Sequence, residues 1–225
     1  MLPSHADIAR SRRDRTMMLY ARSLKRLADV VASGLLIVLL LPVMALVAIA
    51  VWLALGLPIL HRDERAGLAG RTIRIAKFRS MTNATGPDGR LLPDSARLGP
   101  FGRFLRRTSL DELPQLFSVL AGDMSLVGPR PLPLRYVPRY SPRQASRLDV
   151  RPGLTGWAQI HGRNAVDWPE RLELDARYVE MLARPTAPLT DLWIVGVTAF
   201  QILLQALTGR GIAAPGAATM HEFAP

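Results

Sequence analysis

The chain has 225 residues, with 29 Lys and Arg against 18 Asp and Glu, and a net charge of +11. That length holds one domain plus an attachment rather than two full domains, and the charge favours phosphorylated substrates or anionic lipid as partners. The absence of cysteine excludes disulfides and thiolate chemistry, four scattered histidines give no His-rich metal site, and 6% aromatic content without basic-aromatic interleaving argues against nucleic acid.

Residues 1–29 form a basic leader carrying Arg10, Arg12, Arg13, Arg15, Arg22, Lys25 and Arg26. Its second half, residues 17–28, suits an amphipathic helix lying on anionic headgroups, whereas a solvated tail fits residues 1–15 equally well. Residues 30–60 contain no charged residue, and about 20 apolar residues suffice to cross a bilayer as helix. The run is too long for a secretory signal. Pro42 removes a backbone hydrogen bond a third of the way in, and residues 30–41 alone would reach only about 18 Å. Basic residues crowd both flanks, with Arg62, Arg65, Arg71, Arg74, Lys77 and Arg79 following, so both ends are drawn to one side. The pattern favours a re-entrant helix-break-helix hairpin broken near Pro42, with a straight span and a buried core helix as alternatives.

Residues 71–81 alternate apolar and basic positions and predict a short strand. Gly86-Pro87, Asp88-Gly89, Pro93 and Gly99-Pro100 make residues 82–100 a loop. Residues 101–122 read as two helices, the second starting near Asp111 and stopping at Gly122. Residues 134–149 suit a basic amphipathic helix, residues 151–164 a glycine-rich loop, and residues 169–183 a helix opened by Pro169 with a charged face on which Glu173 and Asp175 are solvated. Residues 189–207 are apolar with one acid, Asp191. This weakly amphipathic helix is expected to be interfacial or packed on the domain, with a second span as the alternative.

Two readings of Asp111-Glu112 stand side by side. Ser109-Leu110-Asp111-Glu112 fits a capping box, in which Glu112 only closes a helix start. The same geometry presents Asp111 as a carboxylate nucleophile, with Glu112 binding metal or orienting it. Arg106, Arg130 and Arg163 are candidate phosphate clamps, because a guanidinium fork matches phosphate oxygens. Each alone is as readily a surface ion pair, but Pro129 and Pro131 fix the backbone around Arg130. Trp157 and Trp168 suit base stacking, headgroup anchoring or core packing, and His161 a solvent-facing role.

Taken together these stretches resemble the bacterial sugar transferase family, the monotopic phosphoglycosyl transferases. The resemblance is carried by Lys25-Arg26-Leu27-Ala28-Asp29, Lys77-Phe78-Arg79-Ser80-Met81, Ser109-Leu110-Asp111-Glu112-Leu113-Pro114-Gln115-Leu116, residues 122–131 ending in Gly128-Pro129-Arg130-Pro131, Arg151-Pro152-Gly153-Leu154-Thr155-Gly156-Trp157, and Gly162-Arg163-Asn164, in the family's order. Length and tail look most like the small PglC-like members, which act on N-acetylated amino sugars. The resemblance implies an α/β fold, mostly helical with short strands. The monotopic layout comprises a leader (1–29), a re-entrant hairpin (30–60), a cytoplasmic catalytic domain with interfacial amphipathic helices (61–208) and a tail (209–225). It implies residence at the bacterial inner membrane with the catalytic domain on the cytoplasmic face. It also implies transfer of a sugar 1-phosphate from a UDP-sugar to polyprenyl (undecaprenyl) phosphate with release of UMP, as a first membrane step of glycoconjugate or polysaccharide assembly. Asp111 and Glu112 take the catalytic and Mg²⁺-binding positions, and Arg106, Arg130, Arg163 and Lys77 the phosphate- or nucleotide-binding ones. Asp63 and Ser118 depart from the family pattern, where Gln and Asn are expected. A silent membrane-bound nucleotide-binding scaffold and a soluble-substrate pyrophosphatase are the competing readings. The sugar and a homo-oligomeric state stay open.

Overall fold

A computed structural model describes residues 23–162, 167–208 and 223. It is mostly helical with short strands, in the order α1 (Lys25–Leu55), β1 (Leu60–Ala66), β2 (Thr72–Phe78), α2 (Asp94–Arg97), α3 (Pro100–Arg107), α4 (Gln115–Ala121), β3 (Ser125–Val127), α5 (Pro142–Ala145), β4 (Gly153–Thr155), α6 (Trp157–Ile160), α7 (Trp168–Met181) and α8 (Ala187–Thr208). β1 and β2 pair antiparallel, and β3 and β4 pair parallel.

The apolar run and the last turn of the leader form one continuous helix, α1, with Pro42 inside it. The interruption expected at Pro42 is therefore not a break in helical structure. Proline removes one hydrogen bond, whereas ending and restarting a helix would orphan about four backbone groups on each side of the gap, an excessive cost in apolar surroundings.

The way α1 packs is unlike a soluble helix. Its polar residues Lys25, Asp29 and Ser33 are buried, while Leu27, Val31, Leu35, Val38 and Leu39 are exposed. Lys25 Nζ donates to Asp191 Oδ2 at 2.6 Å, Arg26 donates to the carbonyls of Val119 and Leu120 at 2.6 and 2.7 Å, and Asp29 accepts from the Leu126 amide at 3.0 Å. Farther along, Met44, Val47 and Val51 join Phe78, Leu105 and Leu116 in one apolar cluster. At the C-terminal end Arg79 donates to the carbonyls of Leu55, Gly56 and Leu57, which a helix end leaves without intrahelical partners.

α8 repeats this polarity. Asp191 and Ile194 are buried, Thr198 bonds Thr155, and Gln201 donates to the Ile160 carbonyl at 2.9 Å. Leu189, Leu192, Trp193, Phe200 and Leu203 point outward, and the first four of these form a shallow apolar groove with Gly196 and Val197. The helix is packed on the domain through its polar stripe and presents its apolar face away from it. Both α1 and α8 are long and apolar enough to cross a membrane.

Two other sequence expectations change. Residues 134–149 do not form one helix: 3₁₀ turns at Leu134–Arg139 and Ser146–Asp149 flank the four-residue α5. Pro138 and Pro142 each remove an amide, and Ser141 caps a new start with its side chain accepting from Gln144. On α7, Glu173 is solvated and pairs with Arg143 and Arg177, but Asp175 is 1% exposed and pairs with Arg147. The helical period turns residues 171, 172, 175, 178 and 179 inward together. Trp168 packs edge-on against Tyr136, Trp157 packs on the core, and exposed His161 bonds the Trp157 carbonyl.

Asp191→Ala leaves Lys25 buried without a counter-charge and should cost about 3–5 kcal/mol. Leu192→Ala, on the outward face of the same turn, should stay within about 0.5 kcal/mol. Thermal unfolding of the two variants in detergent measures the contrast.

Candidate active site

The site is assembled from four places in the chain: β2, α3, the turn after α3 and the turn after β3. Ile73, Ile75 and Lys77 share one face of β2 because side chains alternate along a strand; the two isoleucines enter the core beside Val119 and Met124. Lys77, at the strand end, reaches past them to Glu112, with Nζ 3.0 Å from Oε1. Ser80, just beyond the strand, accepts from Arg106 Nε at 2.9 Å. This bond needs α3 close to the strand end, and Gly102 permits it: a Cβ there would lie 1.8 Å from the Ser80 carbonyl oxygen.

Asp111 and Glu112 lie in a 3₁₀ turn, Leu110–Glu112, between α3 and α4. The expected capping box does not form. Ser109 sits in the left-handed region at φ 57° and its side chain caps nothing, whereas an N-cap serine needs extended backbone to point its oxygen at the next turn. The left-handed residue reverses the chain after α3 and delivers the acid pair to the end of β2. Such conformations in non-glycine residues are costly and concentrate at functional sites. Pro114 precedes α4, and Gly122 closes it at φ 97°.

Arg130 arrives from the turn after β3. Its Nη2 lies 2.7 Å from Glu112 Oε1, so Lys77 and Arg130 share one carboxylate oxygen. β3 and β4 hold this turn at very short range: a Cβ on Gly153 would lie 2.1 Å from the Gly128 amide nitrogen. Lys77, Arg106, Arg130, Asp111 and Glu112 are thus brought together from sequence positions 77 to 130. Arg163 lies outside the described residues. Ser80 stands in the Lys77–Met81 motif without a role legible in the sequence, because a serine carries no signal until its partner is placed. Asp63 pairs with Arg65; the Ser118 carbonyl accepts the amides of Gly122, Asp123 and Met124.

The two carboxyls are driven in opposite directions. Burial, then the neighbouring Glu112 charge, raises Asp111 to about 6, against the pull of Lys77, Arg106 and Arg130. Burial acts on Glu112 too, but Arg130 and Lys77 at hydrogen-bond distance outweigh it and hold Glu112 well below the usual carboxylate range. Arg130 is raised in turn by Glu112. Glu112 is a fixed anion already committed to two cations. Among the described residues none donates a hydrogen bond to Asp111. Three cations around two carboxylates leave a net positive site, suited to an anionic substrate.

No described cluster joins three or more potential metal-ligating acids or histidines. Asp111 and Glu112 nevertheless fit a Mg²⁺ ion, which is commonly bound through one or two carboxylates with substrate phosphates and water completing its shell.

The family model described as "Bacterial sugar transferase" matches residues 20–205. The chain is 47% identical over 157 residues to the uncharacterized sugar transferase EpsL of Bacillus subtilis (strain 168), covering 70% of this chain and 78% of that one. It is 40% identical over 195 residues to the UDP-glucose:undecaprenyl-phosphate glucose-1-phosphate transferase of Escherichia coli (strain K12), covering 80% of this chain. It is 38% identical over 180 residues to the undecaprenyl-phosphate galactose phosphotransferase of Salmonella typhimurium (strain LT2), covering 71%. The chain spans only 40% and 37% of the length of these last two relatives.

Asp111 titrates higher folded than unfolded, so its charge opposes folding. The penalty is absent below about pH 4, grows from pH 4 to 6 and is constant above. Asp111→Asn should therefore stabilise the metal-free protein by about 2–3 kcal/mol at pH 8 and by almost nothing at pH 4. Unfolding at the two pH values measures this.

Proposed function

The chain belongs to the bacterial sugar transferase family, and on that premise we propose that it moves a sugar 1-phosphate from a UDP-sugar to polyprenyl phosphate and releases UMP. The observation carrying this reading is a buried carboxyl, Asp111, to which no described residue donates a hydrogen bond, beside an ion-paired Glu112 and within a ring of cations. Relatives named for the same exchange on undecaprenyl phosphate support it.

The reaction proceeds in two displacements. An Asp111 carboxylate oxygen attacks the sugar-bearing phosphorus of the donor. The bond from that phosphorus to the UMP oxygen breaks, leaving a phosphoryl-aspartate. An oxygen of the polyprenyl phosphate then attacks the same phosphorus and frees the Asp111 carboxylate. Each step brings anion to anion, which at 4 Å costs about 4 kcal/mol at an effective dielectric of 20. Lys77, Arg106 and Arg130 offset this by their fixed charge, and Arg163 is assigned to the same clamp. Phosphoryl transfer depends mainly on such positioning and charge stabilisation. Glu112 orients Arg130 and Lys77 and so keeps the clamp in place without competing as a nucleophile. Bound Mg²⁺, held by Asp111, Glu112 and donor phosphate oxygens, would supply further neutralisation of the phosphates.

The donor sugar is a hexose 1-phosphate in this reading. The named relatives act on glucose or galactose, while the PglC-like resemblance favours an acetamido sugar, so the donor panel must hold both.

α1 is assigned to a re-entrant seat in the cytoplasmic leaflet. Pro42 near the middle of the helix and the basic flanks, which keep both ends on the cytoplasmic side, support this reading. The chain has no cysteine, so single cysteines introduced as Leu24→Cys and Leu68→Cys report topology directly. Both should react with a membrane-impermeant maleimide from the cytoplasmic side in inverted vesicles; reaction from opposite sides would establish a straight span instead.

Asp111→Asn should lower UMP release by at least about 10³-fold and abolish trapping of radiolabelled sugar phosphate on the protein. Near-normal turnover by this variant would remove Asp111 as nucleophile. A scaffold would release no UMP with any donor, and a pyrophosphatase would release it catalytically without lipid acceptor.

A further inference from the structure

Arg147 and Asp175 lie outside the acid pair and its ring of cations, yet they form the most buried ion pair in the described structure, with side chains 3% and 1% exposed. Arg147 comes from the 3₁₀ turn before β4, and Asp175 from the middle of α7. Arg147 Nε and Nη2 both donate to Asp175 Oδ2, at 3.2 and 2.9 Å. Its Nη1 donates to the Tyr140 hydroxyl at 2.8 Å. The remaining interaction points at the site: Nη2 also donates to the backbone carbonyl of Arg130 at 2.6 Å.

The Arg130 carbonyl lies in a Pro-Arg-Pro turn. Proline on each side removes the amides that could otherwise tie this turn to neighbouring backbone. The Gly153 amide holds the Pro129 carbonyl at 2.9 Å, and a fixed guanidinium can hold the Arg130 carbonyl one residue on because its donors diverge from one rigid plane. Asp175 fixes that plane from behind. The side chain of the same Arg130 donates to Glu112. One line of contacts thus runs from Asp175 through Arg147 and the Arg130 backbone to Glu112 and Lys77.

We propose that the Arg147–Asp175 pair is a positioning device for Arg130, holding its backbone so that its guanidinium stays on Glu112 and faces the transferred phosphate. Neither residue touches the reacting atoms. The alternative is a merely structural pair that ties α7 to the turn at 146–149. It predicts losses in stability without a specific link to Arg130. The proposal rests on the transfer reaction for its kinetic readout, and on Arg130–Glu112 geometry for a readout independent of that reaction.

Single changes that strip one partner from a buried pair can unfold a protein, whereas apolar replacement of both is often neutral. The test therefore uses Arg147→Met with Asp175→Leu in the full chain, and Arg147→Lys as a second variant. Lysine keeps the charge opposite Asp175 but lacks the fork that also serves the carbonyl. Both should melt near the wild-type temperature. With the UDP-sugar that the wild type turns over, kcat should fall roughly 10- to 100-fold while donor KM changes less than about 3-fold. In an Arg130→Ala background the double change should cause no further fall in kcat. Wild-type kcat in either folded variant, or losses that multiply with Arg130→Ala, would overturn the proposal. If wild-type protein releases no UMP across the donor panel, the reaction assignment fails on its own. The positioning claim is then decided by a structure of the double variant: Arg130 displaced from Glu112 supports it, and Arg130 retained at hydrogen-bond distance refutes it.

Discussion

A lysine near the start of one apolar helix and an aspartate in another share a 2.6 Å ion pair, and the Tyr178 hydroxyl donates to the same aspartate at 2.7 Å while lying 3.1 Å from the Val127 carbonyl. None of these groups can be buried alone without a large desolvation cost. Together they oblige α1, α7, α8 and β3 to meet at one point. The constraint also orients both long helices. Their buried polar residues turn toward the domain, and most of their leucines and all their described aromatics turn away. In water that arrangement would expose apolar surface with no compensation. Against lipid it is the stable one, since polar groups in membrane helices face protein.

The same packing places the chemistry. β3 leaves the Tyr178 contact and runs directly into the turn carrying Arg130. At the far end of α1, Arg79 closes the helix through three carbonyls, two residues after Lys77 and one before Ser80. The seat of the apolar helix and the position of the site cations are therefore set by one strand end and one short strand. In the proposed reaction the polyprenyl phosphate would present its charge at a membrane surface, where a site built on the anchors of two apolar-faced helices is placed to meet it.

Within the site, two adjacent carboxyls have been pushed apart in acidity by their neighbours. Glu112 has cations at hydrogen-bond distance and stays ionised; Asp111 has burial, a like charge and more distant cations. Separation of this kind assigns different work to chemically similar groups. In the proposed reaction this leaves Asp111, to which no described residue donates a hydrogen bond, as the nucleophile.

Much of this was legible in the residues alone. The uncharged run at 30–60, the alternating strand read at 71–81 and observed at Thr72–Phe78, and the helix stop at Gly122 follow from local periodicity and turn chemistry. Asp111-Glu112, Arg106 and Arg130 stood out by residue type and order, and the family by the resemblance of its motifs. What the sequence could not decide was anything set by contacts across the chain. Ser109-Leu110-Asp111-Glu112 spells a capping box, yet the left-handed Ser109 and the pull of Lys77 and Arg130 turn Glu112 to another use. Pro42 predicts a break, yet the helical hydrogen bonds around it are worth more than the one it removes. Asp175 looks solvated until Arg147, 28 residues away, buries it. Local pattern determines which elements form. Where a charge ends up depends on which partner the tertiary fold brings within about 3 Å, and only the structure decides that.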